Sequence, residues 1–289
     1  MTSATPLTRA TLEAFPLPPV EDGDKHEHGR LLVVAGTREI PGAALLCATA
    51  AMRAGAGKLK IATVASVAPH VAMAMPESRT VGLAEDAGGN FADSAVEPLA
   101  RRTADVDAVV AGPGMAESAA GAVLASALLA APAAVILDAG VLRSLPGALA
   151  AARKARMLPV LLPHAGEMAA LLCCDERKVG ADPVGCGREC ASTYRAITLV
   201  KGATSHVVHP DGRVWTFDGG APGLGVSGSG DTLAGIVGGL AARGADPLTA
   251  LLWGVLIHGE AGARLARRVG PVGFLAREIA DEVPSLLPA

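Results

Sequence analysis

Short apolar runs recur along this chain between helical patterns and longer loops, and most are followed by a glycine, a proline or a charged residue. Leu31-Leu32-Val33-Val34-Ala35 closes on Gly36, and Leu59–Val64 follows. Ala108–Ala111, Ala134–Leu137, Pro159–Leu162 and Ile197–Val200 repeat the pattern. Runs this short and this uniformly apolar suit strands buried on both faces, and helical spacers between them imply crossover connections. The expected class is therefore α/β with a largely parallel central sheet. Pro41 opens the first clear helix, which runs to Arg53 before Gly55 stops it. After Lys201 the style changes. Ser205–His209 and Arg213–Phe217 flank Pro210-Asp211-Gly212, which predicts a hairpin. Helices are predicted over about 230–243, 247–267 and 273–283. Residues 1–25, with Pro16-Leu17-Pro18-Pro19, read as an irregular lead-in, and residues 26–289 as one domain without repeats or a linker.

Composition removes several function classes. Apolar residues make up 51% of the 289, enough to bury a sizeable core. A net charge of −3 offers no general attraction for nucleic acid, and four Phe, two Trp and one Tyr make few stacking platforms. Ala119–Leu137 carries no charge, but Pro132 divides it into a helix and a strand, so no membrane span is expected. The N-terminus lacks a basic-then-apolar signal, and the expected location is cytoplasmic. The five cysteines, Cys47, Cys173, Cys174, Cys186 and Cys190, form no paired CxxC units and read as free thiols. His26-Glu27-His28 offers two imidazoles but no third ligand nearby, so no protein-held metal is expected there.

The polar residues of interest sit just after the apolar runs. Gly36-Thr37 follows the first, Gly112-Pro113-Gly114 follows Ala108–Ala111, and Asp138 follows Leu137. Pro163-His164-Ala165-Gly166-Glu167 and Lys201-Gly202 follow the next two. In open parallel sheets ligands collect beyond the carboxyl ends of the strands, so these residues point to one site. Gly225-Val226-Ser227-Gly228-Ser229-Gly230-Asp231 then brings a glycine-rich turn and one carboxylate to a helix start. Such a start carries unpaired N–H donors that attract phosphate. Two readings stand side by side: Gly228, Ser229 and Gly230 as an anion hole with Asp231 as base, or a plain turn with Asp231 favouring the helix dipole. Glu167 likewise reads as a helix cap or as holder of a metal-bound water, and Lys201 as a phosphate contact or a surface lysine. Gly223-Leu224-Gly225-Val226-Ser227-Gly228 spells GxGxxG but follows no first strand, and GxxxxGK[S/T] is absent.

Taken together these segments resemble the ribokinase-like superfamily and, within it, the NAD(P)H-hydrate dehydratases. The resemblance runs from about residue 25 through Pro41-Gly42-Ala43-Ala44, Arg53-Ala54-Gly55-Ala56-Gly57-Lys58 and Met75-Pro76-Glu77 to Gly228-Ser229-Gly230-Asp231. The GxGD element is shared by many sugar and vitamin kinases, whereas the PGAA, MPE and PHxGE elements are more particular to the dehydratases. Ala165 departs from the family's usual proline, and Ser205 stands where threonine is common.

The resemblance implies a three-layer α/β/α sandwich and a repair reaction. The S-epimer of hydrated NADH or NADPH is dehydrated back to the reduced cofactor at the expense of ADP, giving AMP and phosphate. It implies Asp231 as catalytic base, with Ala43, Ala44, Gly114, His164 and Asp231 contacting the hydrated cofactor. Lys201, Gly202, Ala203, Thr204, Ser205, Gly228, Ser229 and Gly230 would contact the nucleotide, with Mg²⁺ bridging phosphate oxygens through water. It also implies a homotetramer. ADP is expected over ATP because the chain is free-standing, without a fused epimerase domain. The alternatives are a vitamin-alcohol kinase of the same fold and a nucleotide-binding sensor without activity.

Overall fold

The structure is a computed structural model and describes residues 4–19, 29–118 and 120–288. The His26-Glu27-His28 segment lies outside these described residues. Among the described residues ten strands form one sheet: β1 (Thr5–Pro6), β2 (Arg30–Val34), β3 (Lys58–Val64), β4 (Ser78–Leu83), β5 (Ala108–Ala111), β6 (Ala134–Leu137), β7 (Val160–Leu161), β8 (Ile197–Val200), β9 (Ser205–Val208) and β10 (Val214–Phe217). Their order is β1-β10-β9-β8-β7-β6-β5-β2-β3-β4. From β8 to β4 every pairing is parallel, and β9 alone runs antiparallel to both its neighbours.

Alternation of side chains splits the interior into two cores. Leu31, Val33, Val110 and Ile136 face one way and join Cys47, Ala51, Ile236 and Leu251 from the helices Gly42–Arg53, Ser229–Ala242 and Pro247–Arg268. Leu32, Val34, Val109 and Leu137 face the other way and meet Leu124, Met168 and Cys190 from Gly121–Leu129, Ala165–Leu172 and Pro183–Tyr194. Helices on both faces explain why these central strands carry no polar alternation. The result is the expected three-layer sandwich. No helix among the described residues is long and apolar enough to cross a membrane.

Two features position the site. The chain winds outward through β2, β3 and β4, then returns to β5 beside β2 and winds the other way, leaving a switch point at the ends of β2 and β5. Such points open a crevice. Here the crevice edges are tied together, with Gly36 N–H donating to Pro113 O at 2.9 Å and the Thr37 hydroxyl to Gly114 O at 3.0 Å. The second feature is a close helix crossing. A methyl group on Gly235 would lie 2.2 Å from Cys47 O, and one on Gly239 would lie 2.4 Å from Ala51 O. The Ser229–Ala242 and Gly42–Arg53 helices therefore meet backbone to backbone, with Ala50 and Ala54 filling the seam.

Some expectations shift. The stretch read as an irregular lead-in carries β1, which pairs parallel with β10, and a short Arg9–Leu12 helix. Leu7 and Leu12 enter the core, and the Trp253 indole N–H donates to Phe15 O at 2.7 Å. Burial of these apolar groups outweighs the proline-rich composition nearby. β4 and the Ala68–Ala74 helix were not foreseen either. β4 is an edge strand reading Ser-Arg-Thr-Val-Gly-Leu, which has no apolar run to reveal it. The last predicted helix begins at Ala276 rather than 273, because Gly273 holds φ +99°, outside helical space.

Candidate active site

Four strand ends and one helix start converge on a buried charged cluster. β6 delivers Asp138, which is 2% exposed and caps the Ala139–Ser144 helix by accepting from Ala139 N–H at 2.9 Å. A methyl group on Gly112, at the end of β5, would lie 1.8 Å from Asp138 O. Only glycine allows that approach, and Gly112 also holds φ +120°. Ala139 sits at φ +48°, a costly conformation for a residue with a side chain, directly after the carboxylate.

β7 and β8 deliver His164 and Lys201 side by side, bridged in parallel register, with Lys201 N–H donating to Pro163 O at 3.0 Å. His164 caps the Ala165–Leu172 helix through Nδ1, which accepts from Gly166 N–H at 3.1 Å and Glu167 N–H at 3.4 Å. Glu167 returns the favour, accepting from His164 N–H at 2.9 Å. This reciprocal capping box answers the question the sequence left open about Glu167 as a cap. The other ring nitrogen, Nε2, lies 3.3 Å from Glu167 Oε1, and the His164 side chain stays about half exposed. Ala165, where the family has proline, supplies the first helical residue without disturbing this box.

Lys201 is no surface lysine. Its ammonium donates to Asp138 Oδ1 at 2.8 Å and lies 3.9 Å from Glu167 Oε2. Burial works to lower its pKa, but the facing Asp138 and Glu167 carboxylates win and raise it. Glu167 is 5% exposed, and burial together with Asp138 raises its pKa despite Lys201.

Opposite this group the Ser229–Ala242 helix begins, capped by Gly228 at φ +89°. A methyl group on Gly230 would lie 3.5 Å from Lys201 Nζ and 3.8 Å from Asp138 Oδ2, so the helix start faces the lysine and the aspartate directly. Asp231 follows in the first turn. Burial, then the charge of Asp138 and Glu167, raise its pKa to about 7 against the opposing pull of Lys201. A carboxylate poised there is half ionised near neutral pH, the condition in which a general base works best.

A cavity of about 930 Å³ opens on the same side, ample for a nucleotide. Its lining gathers Lys201, Gly202, Ala203, Ser205, Ser229 and Gly230 from the sequence-predicted nucleotide set, and His164 from the substrate set. Thr204 and Gly228 fall outside the lining, as does Asp231. Ala43, Ala44 and Gly114 lie at the switch-point crevice instead. Ala43 is 3% exposed and Ala44 fully buried, so their methyl groups serve packing. A methyl on Gly114, at φ +64°, would come within 2.6 Å of Ala43 Cβ, which places those two expected residues in contact. The Ser229 N–H, expected to face an anion, donates to Val226 O at 3.2 Å.

Sequence reasoning passed over His258. It lies in the Pro247–Arg268 helix with Nε2 3.0 Å from Ser229 Oγ, and it lines the cavity. A lone histidine within an apolar helix carries no local signal; only its juxtaposition with the glycine-rich turn reveals it. The cysteines are free among the described residues, and burial pushes the Cys190 thiol up to about 12. No group of three or more His, Cys, Asp or Glu side chains among the described residues is arranged to hold a metal.

Residues 31–285 match the family model described as NAD(P)H-hydrate dehydratase. The chain belongs to that family. It is 49% identical over 282 residues to the ADP-dependent (S)-NAD(P)H-hydrate dehydratase of Xanthomonas campestris, covering 97% of this chain and 95% of that protein. The ADP/ATP-dependent NAD(P)H-hydrate dehydratase from Bacillus subtilis, co-crystallized with ATP/Mg²⁺, superposes with a TM-score of 0.81 at 27% identity, covering 99% of this chain and 98% of that one. A ribokinase-like superfamily protein from Enterococcus faecalis matches with a TM-score of 0.79 at 22% identity, over 98% of this chain and 94% of that one. That likeness speaks to the fold, which is ribokinase-like.

Proposed function

We propose that this member of the dehydratase family restores the S-epimer of hydrated NADH or NADPH to the reduced cofactor, using ADP and releasing AMP and phosphate. The observation that carries the reading is Asp231, held near a pKa of about 7 at a helix start that faces Lys201. The 49% identity to the Xanthomonas dehydratase across almost the whole chain favours it over a vitamin-alcohol kinase of the same fold.

The ring hydroxyl is a poor leaving group and a phosphate ester a good one. Asp231 would take the hydroxyl proton as that oxygen attacks the terminal phosphorus of ADP, and the bond from phosphorus to the bridging oxygen breaks to release AMP. The new phosphate then departs with its electron pair, the ring nitrogen assists, and a ring C–H proton is lost as the double bond re-forms. Lys201 and the first-turn N–H groups of Gly230 and Asp231 would hold the charge that gathers on the transferring group. Those N–H groups precede the first helical hydrogen bond, Thr232 N–H to Gly228 O, and so have no carbonyl four residues back within the helix. His164, half exposed at the cavity, would contact the hydrated cofactor, and Ala43, Ala44 and Gly114 would shape its crevice. Gly202, Ala203, Thr204, Ser205, Gly228 and Ser229 would flank the nucleotide.

The carboxylates fit a hydrated magnesium rather than a protein cage. Asp138 Oδ1 and Glu167 Oε2 are already committed to Lys201, Ala139 and His164, and no three-ligand group exists among the described residues. Asp138 and Glu167 would therefore hold Mg²⁺ through water while it draws charge from the phosphates. Cytoplasmic location and a homotetramer belong to the same proposal.

The test is to mix acid-hydrated NADPH, Mg²⁺ and the protein with ADP or ATP and follow the near-ultraviolet absorbance of the reduced ring. Recovery with ADP is expected. Recovery with ATP alone would change the donor, and recovery with neither would return the kinase reading.

A further inference from the structure

Ser229 lines the cavity and is 4% exposed, yet its backbone N–H is taken by Val226 O. Whatever it offers a ligand must come from its hydroxyl. That hydroxyl is gripped from behind by His258, whose Nε2 lies 3.0 Å from Ser229 Oγ and 3.2 Å from Ser229 O. A carbonyl oxygen only accepts, so the ring nitrogen facing it carries the proton. Burial pushes the His258 pKa down to about 4, so the ring is neutral at physiological pH and its single N–H is the one at Nε2. Because that N–H also points at Oγ, the serine oxygen accepts from it and must send its own O–H elsewhere. No acceptor for it exists among the described residues outside this pair. The open direction is the cavity, where Lys201 and Gly230 also present themselves. The histidine itself is held in place: a methyl on the next residue, Gly259, would lie 2.1 Å from the Phe217 ring, so the helix packs tightly there.

We propose that His258 is a positioning residue that turns the Ser229 hydroxyl into a hydrogen-bond donor for a phosphate oxygen of the bound nucleotide. The inference rests on the nucleotide reading above. The anion site then combines two first-turn N–H groups, one ammonium and one oriented hydroxyl. A neutral ring with a fixed tautomer orients the hydroxyl without adding charge.

ADP binding by titration calorimetry on the full chain tests this through a double-mutant cycle. Ser229→Ala and His258→Phe are each expected to weaken binding about tenfold, the cost of one hydrogen bond to a charged group. The double variant is expected to bind no more weakly than Ser229→Ala alone, because His258 acts through the serine. His258→Gln, which keeps a side-chain N–H donor, is expected to recover most of the loss. Additive losses, near a hundredfold in the double variant, would overturn the proposal. So would a His258→Phe variant that binds like the unmodified protein. Nitrogen-15 NMR of the unmodified protein, independent of any variant's folding, should show His258 protonated at Nε2; the opposite tautomer would refute the proposal. An unmodified protein that binds no ADP would instead remove the nucleotide reading, and this inference with it.

Discussion

At the residue scale the charged cluster is unbalanced: Asp138, Glu167 and Asp231 share the cation of Lys201. Burial, then the charges of Asp138 and Glu167, raise the pKa of Asp231 to about 7. A carboxyl whose folded pKa lies above its unfolded value favours folding while protonated, and the advantage is lost as pH rises through the folded value. Stability should therefore decline between about pH 4 and pH 7 on account of this residue. Asp231→Asn removes the ionisation, so its melting temperature should exceed that of the unmodified protein at pH 8, and the excess should vanish only as the pH falls to about 4. Scanning calorimetry at the two pH values checks this, and an equal difference at both would contradict it. Activity should run the opposite way. As the base must be ionised, kcat/KM should rise through pH 7 with a slope of one proton, and a profile flat from pH 5.5 to 8.5 would remove Asp231 from that role.

At the element scale the site depends on one helix crossing. The Ser229–Ala242 helix carries Asp231, the Gly42–Arg53 helix carries Ala43 and Ala44, and Gly235 and Gly239 let the two backbones touch. Gly239→Val would drive a side chain into Ala51 O, a backbone atom that cannot turn aside. We expect a loss of about 2 kcal/mol or more, read as a lower denaturant midpoint. Unchanged stability would mean the helices tolerate separation. Legibility follows the same physics. β2, β5, β6 and β8 were readable because both faces are buried, and the Pro247–Arg268 helix because Asp246 and Pro247 mark its start. β4 is an edge with polar residues, and β1 is two residues long, so neither leaves an apolar run. Asp231, His164 and Lys201 were legible from local pattern and resemblance. The Lys201–Asp138 pair and His258 were not, since each joins segments far apart in the chain.

At the scale of the whole molecule the two proposed ligand sites lie against different features: the cavity proposed for the nucleotide against the hairpin of β9 and β10, the crevice at the β2–β5 switch point. The Ser229–Ala242 helix start stands at the cavity, while its glycine seam packs on the helix that leaves the crevice. A ligand that binds only the folded chain stabilises it by mass action, about 2.7 kcal/mol at a hundredfold excess over Kd. ADP with Mg²⁺ should thus raise the melting temperature by several degrees. Lys201→Ala should abolish most of that rise and lower the baseline too, since Asp138 is left buried without its cation. A full ADP-induced rise in that variant would show that the phosphates do not meet Lys201.

The most direct measurement is the turnover of hydrated NADPH by Asp231→Asn, paired with its ADP affinity. An acid–base role predicts a fall in kcat of two to four orders of magnitude, with ADP binding kept within a few-fold. A variant that still repaired the hydrated cofactor at an undiminished rate would contradict the account.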